Sequence, residues 1–218
     1  MRGFQKRRRI LTIMGEQSRR WQMFEEIGTR ANRDEDSEMQ ICEAVLSDLR
    51  EITEIYNQVV LTSTAIYNDR PAAQEERVAW WRERREQGFP VLVAREGGSV
   101  AGFGSFGEFR AWPGYRFTVE GTVHIRSTAR GRGVGTALLE ELVRLAREMG
   151  KHTMIAGVDA ENEASLQFLQ RFGFEQVAHF REVGYKFDRF LDLIFLQYWL
   201  TPPKDNLSRI AGREDGAG

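Results

Sequence analysis

Between Thr118 and Met149 the chain passes from a strand-like run, through a glycine-rich loop, into a strongly amphipathic segment. Thr118, Val119, Thr122, Val123 and Ile125 favour β structure. After Arg130-Gly131-Arg132-Gly133-Val134-Gly135-Thr136, the residues Leu138, Leu139, Leu142, Leu145, Ala146 and Met149 repeat with the period of a helix, over Thr136–Met149. A strand leading through glycines into such a helix restricts the fold to layers, with the helix returned onto a sheet. The glycines allow positive φ and close backbone approach, so successive N–H groups converge at the positive end of the helix. The loop reads as a phosphate cradle, with Arg130 and Arg132 as forked donors to phosphate oxygens.

The flanking sequence continues the alternation. Gln40–Glu43 predicts a short strand, and Ser47 or Asp48 a cap for a helix carrying Leu49, Ile52, Ile55, Tyr56 and Val59. Pro71–Gln87 predicts a second helix with Val78, Trp81 and Trp80 turned inward, and Phe89–Phe106 a hairpin whose turn is Glu96-Gly97-Gly98-Ser99. Thr153–Val158 predicts a strand, Glu163–Phe172 a helix stopped by Gly173, and Phe174–Phe180 and Asp192–Leu200 the last two strands. The sum is a mixed α/β (α+β) domain over residues 39–200. Residues 1–38, with the basic cluster Lys6 to Arg9 and the acidic run Asp34 to Glu38, are expected to be a disordered extension, and residues 201–218 a polar tail. Met39, just before the first strand, is a candidate start.

Composition limits the partners. Lys plus Arg number 31 against 32 Asp plus Glu, which leaves no positive excess for nucleic acid. Cys42 is the one cysteine, so an intramolecular disulfide and a cysteine zinc site are excluded, and a reducing, cytoplasmic setting is expected. His124, His152 and His179 lack metal-ligand spacing, and no metal is expected. No apolar run approaches the roughly 18 residues of a membrane span; Leu191–Leu200 is broken by Asp192 and Gln197.

Three nucleotide readings compete for the loop. A P-loop needs a lysine after its last glycine, which is missing after Gly135. A Rossmann fingerprint needs Gly-x-Gly-x-x-Gly after a first strand, whereas here the spacing is Gly-x-Gly-x-Gly and late in the chain. The third reading is the pyrophosphate of coenzyme A. Context separates them: Arg130-x-x-Gly133-x-Gly135 is followed by a long helix, a strand, Asn162, Ser165 and Phe172-Gly173-Phe174. This combination resembles the GNAT superfamily of acyl-CoA N-acyltransferases over about Gln40 to Leu200. Ala65-Ile66-Tyr67-Asn68-Asp69, Gly88-Phe89-Pro90-Val91-Leu92-Val93, Phe117-Thr118-Val119-Glu120, Gly150-Lys151-His152, Val183-Gly184-Tyr185-Lys186-Phe187 and Leu191-Asp192-Leu193 resemble the phosphinothricin and methionine sulfoximine acetyltransferases within it.

The resemblance implies a central mixed, mostly antiparallel sheet flanked by helices, acetyl-CoA as co-substrate, and a homodimer. It implies acetylation of the α-amine of a small amino acid analogue, such as methionine sulfoximine, methionine sulfone or phosphinothricin. Another small amine as acceptor, or an acyl-CoA-binding module without turnover, are the alternatives. Glu120 matches the general base; its other reading is a solvated strand glutamate. Arg110, Ala111 and Trp112, with Glu120, Gly121 and Thr122, match substrate-contacting stretches, and a cationic Arg110 suits a substrate carboxylate, unless it is an ordinary loop arginine. Val123, His124 and Ile125 match the backbone that pairs with the pantetheine arm, and Gly131, Arg132, Gly133, Val134, Gly135 and Thr136 the pyrophosphate loop. Asn162 and Ser165 match further coenzyme contacts, with Asn162 also a candidate N-cap. One departure stands out: where relatives carry a tyrosine or histidine acid four residues before Gly173, this chain has Leu169. A thiolate with conjugate pKa about 8.5 leaves tolerably without an acid. Direct transfer in a ternary complex is expected, because Cys42 has no histidine to activate it as an acyl carrier.

Overall fold

The computed structural model describes residues 39–202; the expected extension 1–38 and the tail from 203 lie outside the described residues. Among the described residues the strands are β1 (Gln40–Glu43), β2 (Val91–Glu96), β3 (Ser99–Glu108), β4 (Thr118–Ile125), β5 (Thr153–Asp159), β6 (Glu175–Lys186) and β7 (Arg189–Trp199). The helices are α1 (Leu49–Thr62), α2 (Gln74–Glu86), α3 (Val134–Glu148) and α4 (Glu163–Phe172). The strands form one sheet in the order β1-β2-β3-β4-β5-β7-β6. Every neighbouring pair is antiparallel except β4 and β5. This is the mixed, mostly antiparallel sheet that the resemblance implies.

Strand periodicity builds two cores from one sheet. On β2, Leu92 and Ala94 pack with Leu138, Leu139, Leu142 and Ala146 of α3. Val91 and Val93 turn to the other face and meet Leu49, Ile52 and Ile55 of α1 and Trp81 of α2. Phe103 and Phe106 of β3 are both buried in these cores. Gly97 and Gly98, with φ of 54° and 77°, make the two-residue turn of the β2–β3 hairpin.

Several boundaries differ from the sequence expectation for local reasons. Asp48 does not cap α1 through its side chain. Its Oδ2 accepts the Val45 N–H at 2.8 Å and its Oδ1 pairs with Arg95 of β2 at 2.5 Å, tying the corner before α1 to the sheet. The second helix starts at Gln74, not Pro71, because the Glu76 carboxylate accepts the Ala73 N–H at 2.8 Å. α3 begins at Val134, two residues before Thr136, with Gly133 at φ 83° as its N-cap. β6 runs on to Lys186, beyond Phe180, but irregularities at Gln176/Ala178 and Phe180/Gly184 erase its alternation. β7 starts at Arg189, because Phe187 and Asp188 form a tight turn with φ of 51° and 57°.

Candidate active site

β4 and β5 pair only at their first residues, Thr118 to Glu120 opposite Thr153 to Ile155. Beyond Glu120 they part: β4 stays with β3 and β5 with β7. The β5-facing edge of Gly121–Ile125 is therefore left without a strand partner. The gap is a cleft of about 90 Å³, with Gly121 to His124 on one wall and Met154, Ala156, Gly157 and Val158 on the other. Asn162, Ser165, Phe168 and Leu169 close it from the α4 side, and Ala65 from the loop after α1.

The glycine loop stands at the mouth of this cleft. A Cβ on Gly135 would touch Phe168 at 3.4 Å and Ile125 at 3.8 Å, so the first turn of α3 sits between α4 and the end of β4. Gly131 and Gly133 hold φ of 74° and 83°, with no atom within 4 Å of the place of a Cβ. The first amides of α3, from Val134, have no acceptor inside the helix. Open space, positive φ and unpaired amides fit a pyrophosphate, and the unpartnered edge of β4 fits the amides of a pantetheine arm. An open groove of about 660 Å³ runs between α3 and α4 from Thr136 past Phe168 and Arg171. Asn162 Oδ1 accepts the Ser165 N–H at 3.2 Å, so the predicted N-cap forms while both residues line the cleft. Arg130 is exposed, whereas Arg132 is paired with Glu96 of β2 at 2.8 Å. A phosphate gains Arg132 only by displacing that carboxylate.

Glu120 closes the β4–β5 pairing, on the strand face turned to α1 and α2. Burial pushes its carboxyl above the usual range, while Arg110 and then Arg84 pull it back. The same face carries Thr122 and His124, whose Oγ1 and Nε2 lie 2.9 Å apart. Burial drives the His124 imidazole down to about 4, with Arg77 adding to the effect. Arg77 is itself held between Tyr56, 4.2 Å from its ring centre, and Trp80, at 3.9 Å. A half-buried carboxylate beside a neutral histidine and a split sheet edge can accept a proton from a nucleophile brought to the cleft.

The structure does not bring every expected residue together. Arg110, Ala111 and Trp112 lie on the exposed β3–β4 connection, with Trp112 75% exposed. Arg110 lies 4.3 Å from the centre of the Phe109 ring and donates to the Phe109 carbonyl at 3.0 Å, yet its charge reaches Glu120. Ala111 and Trp112 are absent from the cleft wall. Leu169 is buried on that wall and offers no proton. Cys42 sits on β1, separated from β4 by two strands, and its Sγ accepts from Arg95 Nε at 3.4 Å. Sequence reasoning missed Arg84, Gly107 and Phe168. Arg84 is hidden in the charged run Arg82 to Glu86, where nothing local marks it. Among the described residues there is no cluster of metal-ligating side chains, and no helix is long and apolar enough to cross a membrane.

A sheet split over a helix-bound glycine cradle, with a carboxylate at the split, defines an acyl-CoA N-acyltransferase. The model of the acetyltransferase (GNAT) family matches residues 48–174. The L-methionine sulfoximine/L-methionine sulfone acetyltransferase of Salmonella typhimurium is 44% identical over 71% of this chain and 90% of its own length. The phosphinothricin N-acetyltransferase of Streptomyces coelicolor is 33% identical over 74% of this chain and 96% of its own. A putative acetyltransferase from Salmonella typhimurium, solved with acetyl-CoA, superposes with a TM-score of 0.74 at 43% identity, covering 77% of this chain and 97% of that one. The chain belongs to the acetyltransferase (GNAT) family: it is an N-acetyltransferase with acetyl-CoA as its acyl donor.

Proposed function

We propose that the protein moves the acetyl group of acetyl-CoA onto the α-amine of a small amino acid analogue, of the kind of methionine sulfoximine, methionine sulfone or phosphinothricin. The observation that carries this reading is Glu120 at the point where β4 leaves β5. A free α-amine titrates near 8 and is mostly protonated at neutral pH, so a proton must be removed before it attacks. Glu120 takes that proton, and its upward shift on burial suits the task. The amine nitrogen then bonds to the thioester carbonyl carbon, and the C–S bond breaks to release the coenzyme thiolate. An N–H on the unpaired edge of Val123–Ile125 stabilises the developing oxyanion. The adduct nitrogen gives up its second proton to water, and with Leu169 in place of an acid the thiolate leaves unprotonated and recovers a proton through the same water. Gly131 to Thr136 hold the pyrophosphate, Asn162 and Ser165 contact the arm, and Arg110 meets the acceptor carboxylate.

Transfer is direct, within a ternary complex; the distance of Cys42 from the cleft in strand order supports this. Residues 39–200 form the catalytic unit, working in the cytoplasm, where acetylation disarms a toxic amino acid analogue by removing its amine charge. Exposed Phe180, Val183, Tyr185 and Phe190 on β6, an edge strand, and on β7 support a homodimer. A panel of amines assayed by thiol release tests the activity: methionine sulfoximine and its isosteres should turn over fastest. Tight acetyl-CoA binding without thiol release for any amine would overturn it in favour of a binding module. Monomeric sedimentation would remove the dimer.

A further inference from the structure

Gly107 of β3 is the register partner of Glu120 on β4. A Cβ built on Gly107 would collide with the guanidinium of Arg84, so that group occupies the space where any other residue would place its side chain. Arg84 belongs to the last turn of α2, and its carbonyl accepts the Phe89 N–H at 2.8 Å, which fixes where the side chain begins. Its Nε is buried without a hydrogen-bond partner. The charged groups facing it are Glu83 on its own helix, Glu108 on β3 and Glu120 on β4. Those facing Glu120 are Arg110 and Arg84.

The two arginines differ in what they are free to do. Arg110 exerts the larger pull on Glu120, but from an exposed loop where it is available to an acceptor carboxylate. Once so engaged, its charge is neutralised. Arg84 remains, held by a helix and seated over β3, and a guanidinium keeps its charge throughout the working pH range.

We propose that Arg84, lodged in the side-chain space of Gly107, is a positioning residue that keeps Glu120 ionised once the acceptor has taken up Arg110. The proposal rests on the reading of Glu120 as general base. The absent side chain at Gly107 is then a requirement of the reaction as well as of packing. Removing the cation leaves desolvation unopposed, so the carboxyl titrates higher, and rate is lost at low pH and regained at high pH.

The test is kcat against pH at saturating acetyl-CoA and methionine sulfoximine for wild type, Arg84→Met, Arg84→Lys, Gly107→Ala and Glu120→Gln. Arg84→Met and Gly107→Ala should each move the acidic limb upward by about one pH unit, with the high-pH plateau largely kept. Arg84→Lys should restore most of the wild-type position. An acidic limb that stays in place in Arg84→Met or Gly107→Ala, while Glu120→Gln loses turnover, overturns the role of Arg84 alone. Glu120→Gln with wild-type kcat overturns the base reading beneath it. Should Arg84→Met fail to fold, Gly107→Ala still reports, since it displaces the guanidinium while keeping the charge.

Discussion

Lys186, the last residue of β6, donates from Nζ to the carbonyl of Val60 in the last turn of α1 at 2.7 Å. The same ammonium donates to Ser63 O at 2.8 Å and Ile66 O at 2.7 Å, and the residue is 1% exposed. A positive charge thus closes the carbonyl end of α1 and fixes the loop that brings Ala65 to the cleft. Lys186→Met should lower stability by about 1–3 kcal/mol, the cost of leaving buried carbonyls unpaired. It should also raise the KM for the acceptor more than that for acetyl-CoA. Urea denaturation and steady-state kinetics check both, and unchanged stability would contradict the account.

Gly133 carries the coenzyme prediction. Its φ of 83° is strained for any L side chain although the space around it is open. Gly133→Ala should raise the KM for acetyl-CoA about tenfold, from roughly 1.4 kcal/mol of strain and crowding in the cradle. The acceptor KM should stay near wild type. Equal changes in both constants would argue against a phosphate at this loop.

His124 predicts a pH dependence of stability. Its folded pKa of about 4 lies below the ordinary value of 6.5, so protonation favours the unfolded chain. The stability it contributes is complete above pH 6.5 and is lost as pH falls toward 4. Its ring resonances in NMR should stay constant from pH 8 down to 5, and a titration midpoint near 6.5 would refute the burial argument.

What could be read in the chain before its fold was what local periodicity and glycine spacing encode. The loop at Gly131, Gly133 and Gly135 announces itself because backbone conformation there depends on the residues themselves. α3 and α4 follow the same logic, and Asn162 performed the capping its residue type predicts. Arg84 could not be found this way. Its meaning arises only when α2 packs against β3 and the missing side chain of Gly107 leaves room for its guanidinium. The pairing of Arg132 with Glu96 also escaped, since it joins residues that only the sheet brings together. The length of β6 was hidden because an edge strand with irregular pairing has no alternation to display.

Glu120→Gln tests the central claim most directly. The amide keeps the size of the side chain but cannot accept the proton, so kcat for methionine sulfoximine should fall by about 10²- to 10⁴-fold. The KM for acetyl-CoA should remain within a factor of about two, because the cradle and the β4 edge are untouched. Wild-type kcat at every pH would contradict Glu120 as the base and, with it, the chemistry assigned to the split between β4 and β5.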